Sequence, residues 1–266
     1  MSLIEHDDDN VLAVDVNGLN FNYGGPSILN NLNLQLKLGS RCLLVGANGA
    51  GKSTLLMILA GKRMVRSKVL VLGRDSFNDP VPGIRYLGTE WANNPTVKGD
   101  VMVSTLLSNM NGDKYPERRD ELVGIMDINP KWRMHQLSDG QRRRVQLVLG
   151  LIEPWNILLM DEVTVDLDVL VRSDLLRFLR KESETRKATI IYATHIFDGL
   201  GDWPSHIAHM KDGAIITFRE ENPKTKWDRL SEDANTHDIF IHVYQQVLKG
   251  DIKDSQIIDL VYSYFC

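Results

Sequence analysis

Polar and apolar residues alternate through "VLAVDVNGLNFNY" (11–23) and again through "LNNLNLQLKLGS" (29–40). A period of two puts one face of each segment on a core and the other in water, so both read as half-buried strands of an antiparallel sheet. "RCLLVG" (41–46) is instead a continuous apolar run ending in glycine, the pattern of a strand covered on both faces. "KSTLLMILAGK" follows with helical spacing at Leu55, Leu56, Ile58 and Leu59, stopped by Gly61. "SKVLVLG" and "GIRYLGTEW" are further predicted strands, and residues 101–131 are mostly helical, broken at Gly112 and Pro116. "NILLMDEV" and "ATIIYATH" are two more buried strands with a predicted helix over 172–186 between them; "IAHMKDGAIITF" is a hairpin about Asp212 and Gly213. Strands alternating with helices imply a parallel α/β core, here flanked by an antiparallel sheet and a helical insertion. The expected division is an acidic tail over 1–10, a main domain over 11–220 with its helical part at about 92–150, and an extension over 221–266 that reads as helical.

Composition narrows the classes. The 266 residues are 43% hydrophobic and 25% charged with net charge −4, ordinary for a globular domain and against non-specific coating of nucleic acid. Arg142, Arg143 and Arg144 read as a solvated or ion-paired face. Two cysteines allow no disulfide framework, which fits cytoplasm or nucleus. No signal peptide and no apolar run long enough for a bilayer are present, so direct membrane insertion is not expected.

"GANGAGKST" (46–54) fits G-x-x-x-x-G-K-[ST] between a predicted buried strand and a predicted helix, the context this phosphate loop requires. Glycines let successive amides turn toward a β-phosphate, and the helix N-terminus favours its charge. Gly46, Asn48, Gly49, Ala50, Gly51 and Thr54 line the loop; Lys52 would reach the β and γ oxygens and Ser53 would hold Mg²⁺. "ILLMDE" then sets Asp161 and Glu162 at the carboxyl end of a buried strand, where α/β sheets place ligands. Asp161 suits Mg²⁺, and Glu162 suits polarising the water that attacks the γ-phosphate. "IIYATH" brings His195 to the same edge, able to accept from water or donate to phosphate. His6, His135, His206, His209, His237 and His242 carry no such context. "HQLSDGQRRRVQLVLG" (135–150) opens a second helix on Ser138, Asp139 and Gly140, a start suited to an anion.

Together the phosphate loop, "LSDGQ", "ILLMDE", "VDLD" and His195, in that order, resemble the ATP-binding cassette (ABC) ATPases over about 11–218. The resemblance implies an α/β fold with a RecA-like core, an antiparallel β subdomain and a helical subdomain carrying the signature. It also implies two cassettes packed head to tail, each ATP lying between one copy's phosphate loop and the other's signature. On that basis Tyr23 stacks on adenine, while Ser138, Gly140 and Gln141 touch the γ-phosphate and ribose of the opposite nucleotide. Asp168 lies in the loop that crosses the interface. Three departures stand out: Thr89 and Glu90 replace the usual lid glutamine, with Glu90 a third Mg²⁺ candidate; Asp139 replaces a signature glycine; Val163 replaces a proline.

"YLGTEW", "WRMHQLSDGQ", "DEVTVDLDV" and "YATHIFDGL" further resemble a subgroup of soluble single cassettes: a fungal factor associated with the carbon-catabolite-repressor/NOT complex, and plant relatives. The function expected is therefore a soluble ATPase that forms a homodimer on ATP and regulates a protein complex in transcription or mRNA turnover. The alternative is an ATP-binding subunit of a transporter whose membrane subunits are separate chains. A cassette that switches with little turnover, as a scaffold, fits less well with Glu162 and His195 in place.

Overall fold

The structure, a computed structural model, describes residues 11–88, 99–195, 200 and 202–220. Thr89, Glu90, the acidic tail and the extension lie outside the described residues.

The two alternating segments form β1 (Leu12–Phe21) and β2 (Leu29–Lys37), paired antiparallel with Val14 opposite Leu36 and Val16 opposite Leu34. β4 (Val69–Val71) joins the free edge of β1, and the two-residue β5 (Arg74–Asp75) follows it. β4 is shorter than the pattern of 67–73 predicts, because Leu72 and Gly73 both take positive φ and turn the chain.

A six-stranded sheet lies beside it in the order β10-β9-β3-β8-β7-β6. Its members are β3 (Arg41–Val45), β6 (Ile84–Leu87), β7 (Ile157–Asp161), β8 (Thr189–Ala193), β9 (His206–Lys211) and β10 (Ala214–Glu220). All neighbours are parallel except the β9–β10 hairpin. Two-sided burial explains the unbroken apolar runs. Ile157 and Leu159 face one core, together with Ile191 and Leu44; Leu158 and Met160 face the other, together with Ile190 and Leu43. The first core is closed by α1 (Lys52–Leu59), whose Leu55, Leu56, Ile58 and Leu59 are fully buried between the sheets. At about 1.5–3 kcal/mol for each such side chain, this helix is fixed by packing far more than by intrinsic propensity.

The helical insertion follows β6. It contains α2 (Val103–Asn109), α3 (Pro116–Ile125), a 3₁₀ turn at Met134–Gln136, and α4 (Asp139–Leu151). Pro116 opens α3 at a position where its missing N–H costs nothing. α4 packs closely on the core: a Cβ on Gly150 would stand 2.3 Å from a Leu87 methyl. α5 runs Val169–Arg186, starting three residues before the predicted 172, because the Asp168 carboxylate accepts from the Val171 amide at 3.0 Å and caps it.

Candidate active site

Three strands end side by side at one edge of the large sheet, β3 at Val45, β8 at Ala193 and β7 at Asp161. The phosphate loop, the acid pair and His195 therefore converge.

The loop's close approach to β9 dictates its first glycine. A Cβ on Gly46 would lie 2.3 Å from the Met210 carbonyl oxygen. Gly51 adopts φ 100° as the residue before α1, a conformation that favours glycine. Lys52 is buried and donates from Nζ to the Gly46 and Ala47 carbonyls at 2.7 and 3.1 Å. Burial pulls its ammonium below the ordinary value, against Glu162 and Asp161, which raise it. Ala50 and Thr54 are buried; Asn48 and Gly49 are exposed. The amides of Lys52, Ser53 and Thr54 donate to no backbone carbonyl among the described residues, as the first turn of a helix leaves them. They are the donors a phosphate needs.

Asp161 is buried at the end of β7. Burial raises its carboxyl above the ordinary carboxylate range; hydrogen bonds from Ser53 and Tyr86 work against this, and Glu162 adds to it. The Tyr86 hydroxyl donates to Asp161 Oδ2 at 3.1 Å. Sequence reasoning missed Tyr86, because only the strand order reveals that β6 lies beside β7. Glu162 follows with φ 53°, a left-handed conformation uncommon for a non-glycine residue. Its amide donates to the Ala193 carbonyl at 2.9 Å, and its carboxylate lies 3.4 Å from His195 Nδ1. The following Val163 is fully buried, so the site of the usual proline serves here as core.

Two carboxylates thus face one lysine, with a serine hydroxyl already on the inner carboxylate. That donor set, all hard oxygens beside excess negative charge, fits Mg²⁺. Among the described residues no group of three or more carboxylates, histidines and cysteines forms a dedicated metal cage.

Tyr23 is 55% exposed, with Phe21 edge-on at 4.8 Å and the Arg63 guanidinium 5.8 Å from its ring centre. A large aromatic ring this exposed is available for stacking.

Ser138 caps α4. Its hydroxyl accepts from the Gln141 amide at 3.2 Å, and the Gln141 side chain accepts from the Ser138 amide at 3.0 Å. Ser138 and Gln141, two of the three expected nucleotide contacts, therefore hold their own helix start. Asp139 points outward and pairs with Arg142 at 2.7 Å, which offsets the negative charge added to the signature. Arg144 pairs with Asp168 at 2.6 Å, and Arg143 approaches Asp166 at 3.9 Å. The three arginines are all ion-paired, as expected, yet Arg143 and Arg144 are largely buried.

The family profile described as ABC transporter matches residues 29–165, just over half of the chain. The chain belongs to this family. It is an ABC ATPase. The cassette is 46% identical over 224 residues to CCR4-associated factor 16 of Saccharomyces cerevisiae, covering 77% of each protein. It is 49% identical over 254 residues to ABC transporter I family member 21 of Arabidopsis thaliana, covering 91% of this chain and 87% of the relative. Among solved structures, a nucleotide-free cassette from an ABC transporter superposes with a TM-score of 0.66 at 17% identity, covering 84% of this chain and 96% of the other. The dimeric structure of a bacterial ABC transporter cassette gives 0.67 at 19% identity, covering 79% and 99%. The likeness to both cassettes shows the ABC nucleotide-binding fold. Among the described residues no helix is long and apolar enough to cross a membrane.

Proposed function

We propose that the cassette hydrolyses ATP at the interface of a head-to-tail homodimer and thereby regulates a protein complex of transcription or mRNA turnover, in cytoplasm and nucleus. The observation that carries the assembly is an incomplete site. Among the described residues, the side-chain polar contacts of Ser138, Asp139 and Gln141 stay within 138–142, and none reaches the phosphate loop of the same chain. Exposed Val165, Val169 and Leu170, at 42%, 65% and 78%, surround Asp168 and support a partner there. The name of the yeast relative supports subunits of the carbon-catabolite-repressor/NOT complex as partners.

In this reading Lys52 exchanges its loop carbonyls for β and γ oxygens, and Tyr23 stacks on adenine. Ser53 and Asp161, with Glu90 as a further ligand, would hold Mg²⁺, which would supply charge that neutralises the phosphates. Glu162 takes the proton of the attacking water, and His195, held beside it, donates a hydrogen bond to the γ-phosphate. Ser138, Gly140 and Gln141 close the site from the second copy, with Asp168 at the crossing.

Affinity purification of the Glu162→Gln chain from its native cells with MgATP tests the regulatory role. Subunits of the carbon-catabolite-repressor/NOT complex are expected with it. Recovery of integral membrane proteins alone would instead support the transporter-subunit reading and overturn this one.

A further inference from the structure

Gly88 follows β6 and precedes the stretch where the family lid glutamine is replaced. Two side chains of the signature helix hold its carbonyl. Gln146 Nε2 donates to it at 3.0 Å and Arg143 Nη1 at 3.3 Å, while Arg143 Nη1 also donates to Gln146 Oε1 at 2.6 Å. Gln146 is buried, and the Arg143 side chain is only 13% exposed. On its other side Arg143 Nε stands 3.9 Å from Asp166, in the loop that leads to Asp168. The Asp166 carbonyl lies 3.4 Å from where a Gly140 Cβ would stand, so that loop touches the start of the signature helix as well.

The other end of the chain of contacts is Asp161. Tyr86 folds back over Gly88 so closely that a Cβ there would stand 2.6 Å from its hydroxyl oxygen. That hydroxyl is the one bonded to Asp161. From the inner carboxylate of the chain's own site, contact runs unbroken through Tyr86, Gly88, Arg143 with Gln146, and Asp166 to the signature and the interface loop. The Gln146 bond is buried and those of Tyr86 and Arg143 are partly buried, which leaves them few alternative arrangements, so displacement at one end is transmitted rather than absorbed.

We propose that Arg143 and Gln146 form a latch that couples a chain's own nucleotide site to the half-site it offers its partner. Arg143 is a positioning residue, acting on nucleotide only through Gly88, Gln146 and Asp166. The inference rests on the head-to-tail dimer of the preceding section. It assigns to this chain's own side chains the task of tying the end of β6 to the signature helix.

The test uses full-length protein carrying Glu162→Gln, so that ATP is held rather than hydrolysed. Two quantities are measured: the MgADP affinity of the chain's own site, by fluorescent nucleotide titration, and the ATP concentration at which half the protein is dimeric, by light scattering. Adding Arg143→Ala is expected to leave MgADP affinity within about twofold while raising the ATP requirement for dimerisation about 5- to 30-fold. Arg143→Lys, which keeps the charge and one donor, should recover part of this. Gln146→Met, close in volume, should shift dimerisation in the same direction. Tyr86→Phe should also shift it, and combined with Arg143→Ala should add little, because both break one path. Strictly additive effects of Tyr86→Phe and Arg143→Ala would overturn the latch, as would dimerisation unaffected by Arg143→Ala. A Glu162→Gln chain that stays monomeric at saturating MgATP would overturn the assembly reading, and the latch with it.

Discussion

Glu182, on α5, is 4% exposed and ties the helical insertion to the core. Its carboxylate accepts from Arg118 of α3 at 2.7 Å and from Arg186 at 2.5 Å. Arg118 is itself enclosed. Its side chain is 13% exposed, Nε donates to the Leu151 carbonyl at 2.8 Å, and its guanidinium lies 4.9 Å over the Phe178 ring. Glu182→Ala leaves that guanidinium buried with a carbonyl and a ring face. Arg186, 33% exposed, still reaches water and the Trp155 carbonyl. The cost therefore sits on Arg118, and removing one partner of a buried pair costs about 3–5 kcal/mol. Arg118→Met with Glu182→Leu should cost less than Glu182→Ala alone, because no buried charge is left without a partner. Urea denaturation at neutral pH, followed by circular dichroism, reads all three proteins. A Glu182→Ala loss below about 1 kcal/mol, or a double variant worse than the single, would refute the reasoning.

The same pair predicts a pH response. Burial alone would raise the Glu182 carboxyl, but the Arg118 and Arg186 hydrogen bonds and charges outweigh it and hold it below the ordinary range. A depressed carboxylate stabilises fully above its unfolded value, and that contribution is lost as pH falls through the folded one. Glu182→Gln should therefore flatten the fall of stability on acidification; an unchanged slope would contradict the pairing. At the site, Asp161 is shifted upward, so Mg²⁺-dependent nucleotide affinity should fall on acidification earlier than an ordinary aspartate would allow. Nucleotide titration across pH with and without Mg²⁺ checks this. Gly46→Ala should weaken nucleotide binding at least tenfold, since its methyl meets the Met210 carbonyl at 2.3 Å and the loop must move; wild-type affinity would count against that close approach.

Local patterns carried most of this architecture. The unbroken runs at 41–45, 157–161 and 189–193 announced strands covered on both faces, and each divides its side chains between two cores. The phosphate loop was legible because its glycines answer to backbone conformation and close approach, which sequence encodes directly. Tyr86, Gln146 and Arg118 were not legible. Each acts through a partner on an element distant in sequence, and no periodicity says that β6 lies beside β7 or that α3 meets α5. The three arginines at 142–144 illustrate the limit well. Their sequence suggests a solvated or ion-paired face, and the ion pairs are there, but that Arg143 also reaches the Gly88 carbonyl could not be read from it. Ser138 and Gln141 were assigned to nucleotide through a family resemblance, whereas their visible contacts form a capping box on α4.

The central claim is that each active site is divided between two chains, and mixing variants tests it directly. Lys52→Ala removes the phosphate lysine from one half-site, and Ser138→Arg blocks the signature in the other. Neither variant alone contains an intact site in a homodimer, so both should be inactive in a phosphate-release assay. Mixed in equal amounts, half the dimers would be heterodimers with one intact site of two, restoring about one quarter of wild-type ATPase activity. A mixture as inactive as its components, with heterodimers present by mass, would contradict the divided site, as would a Ser138→Arg chain that hydrolyses ATP normally by itself.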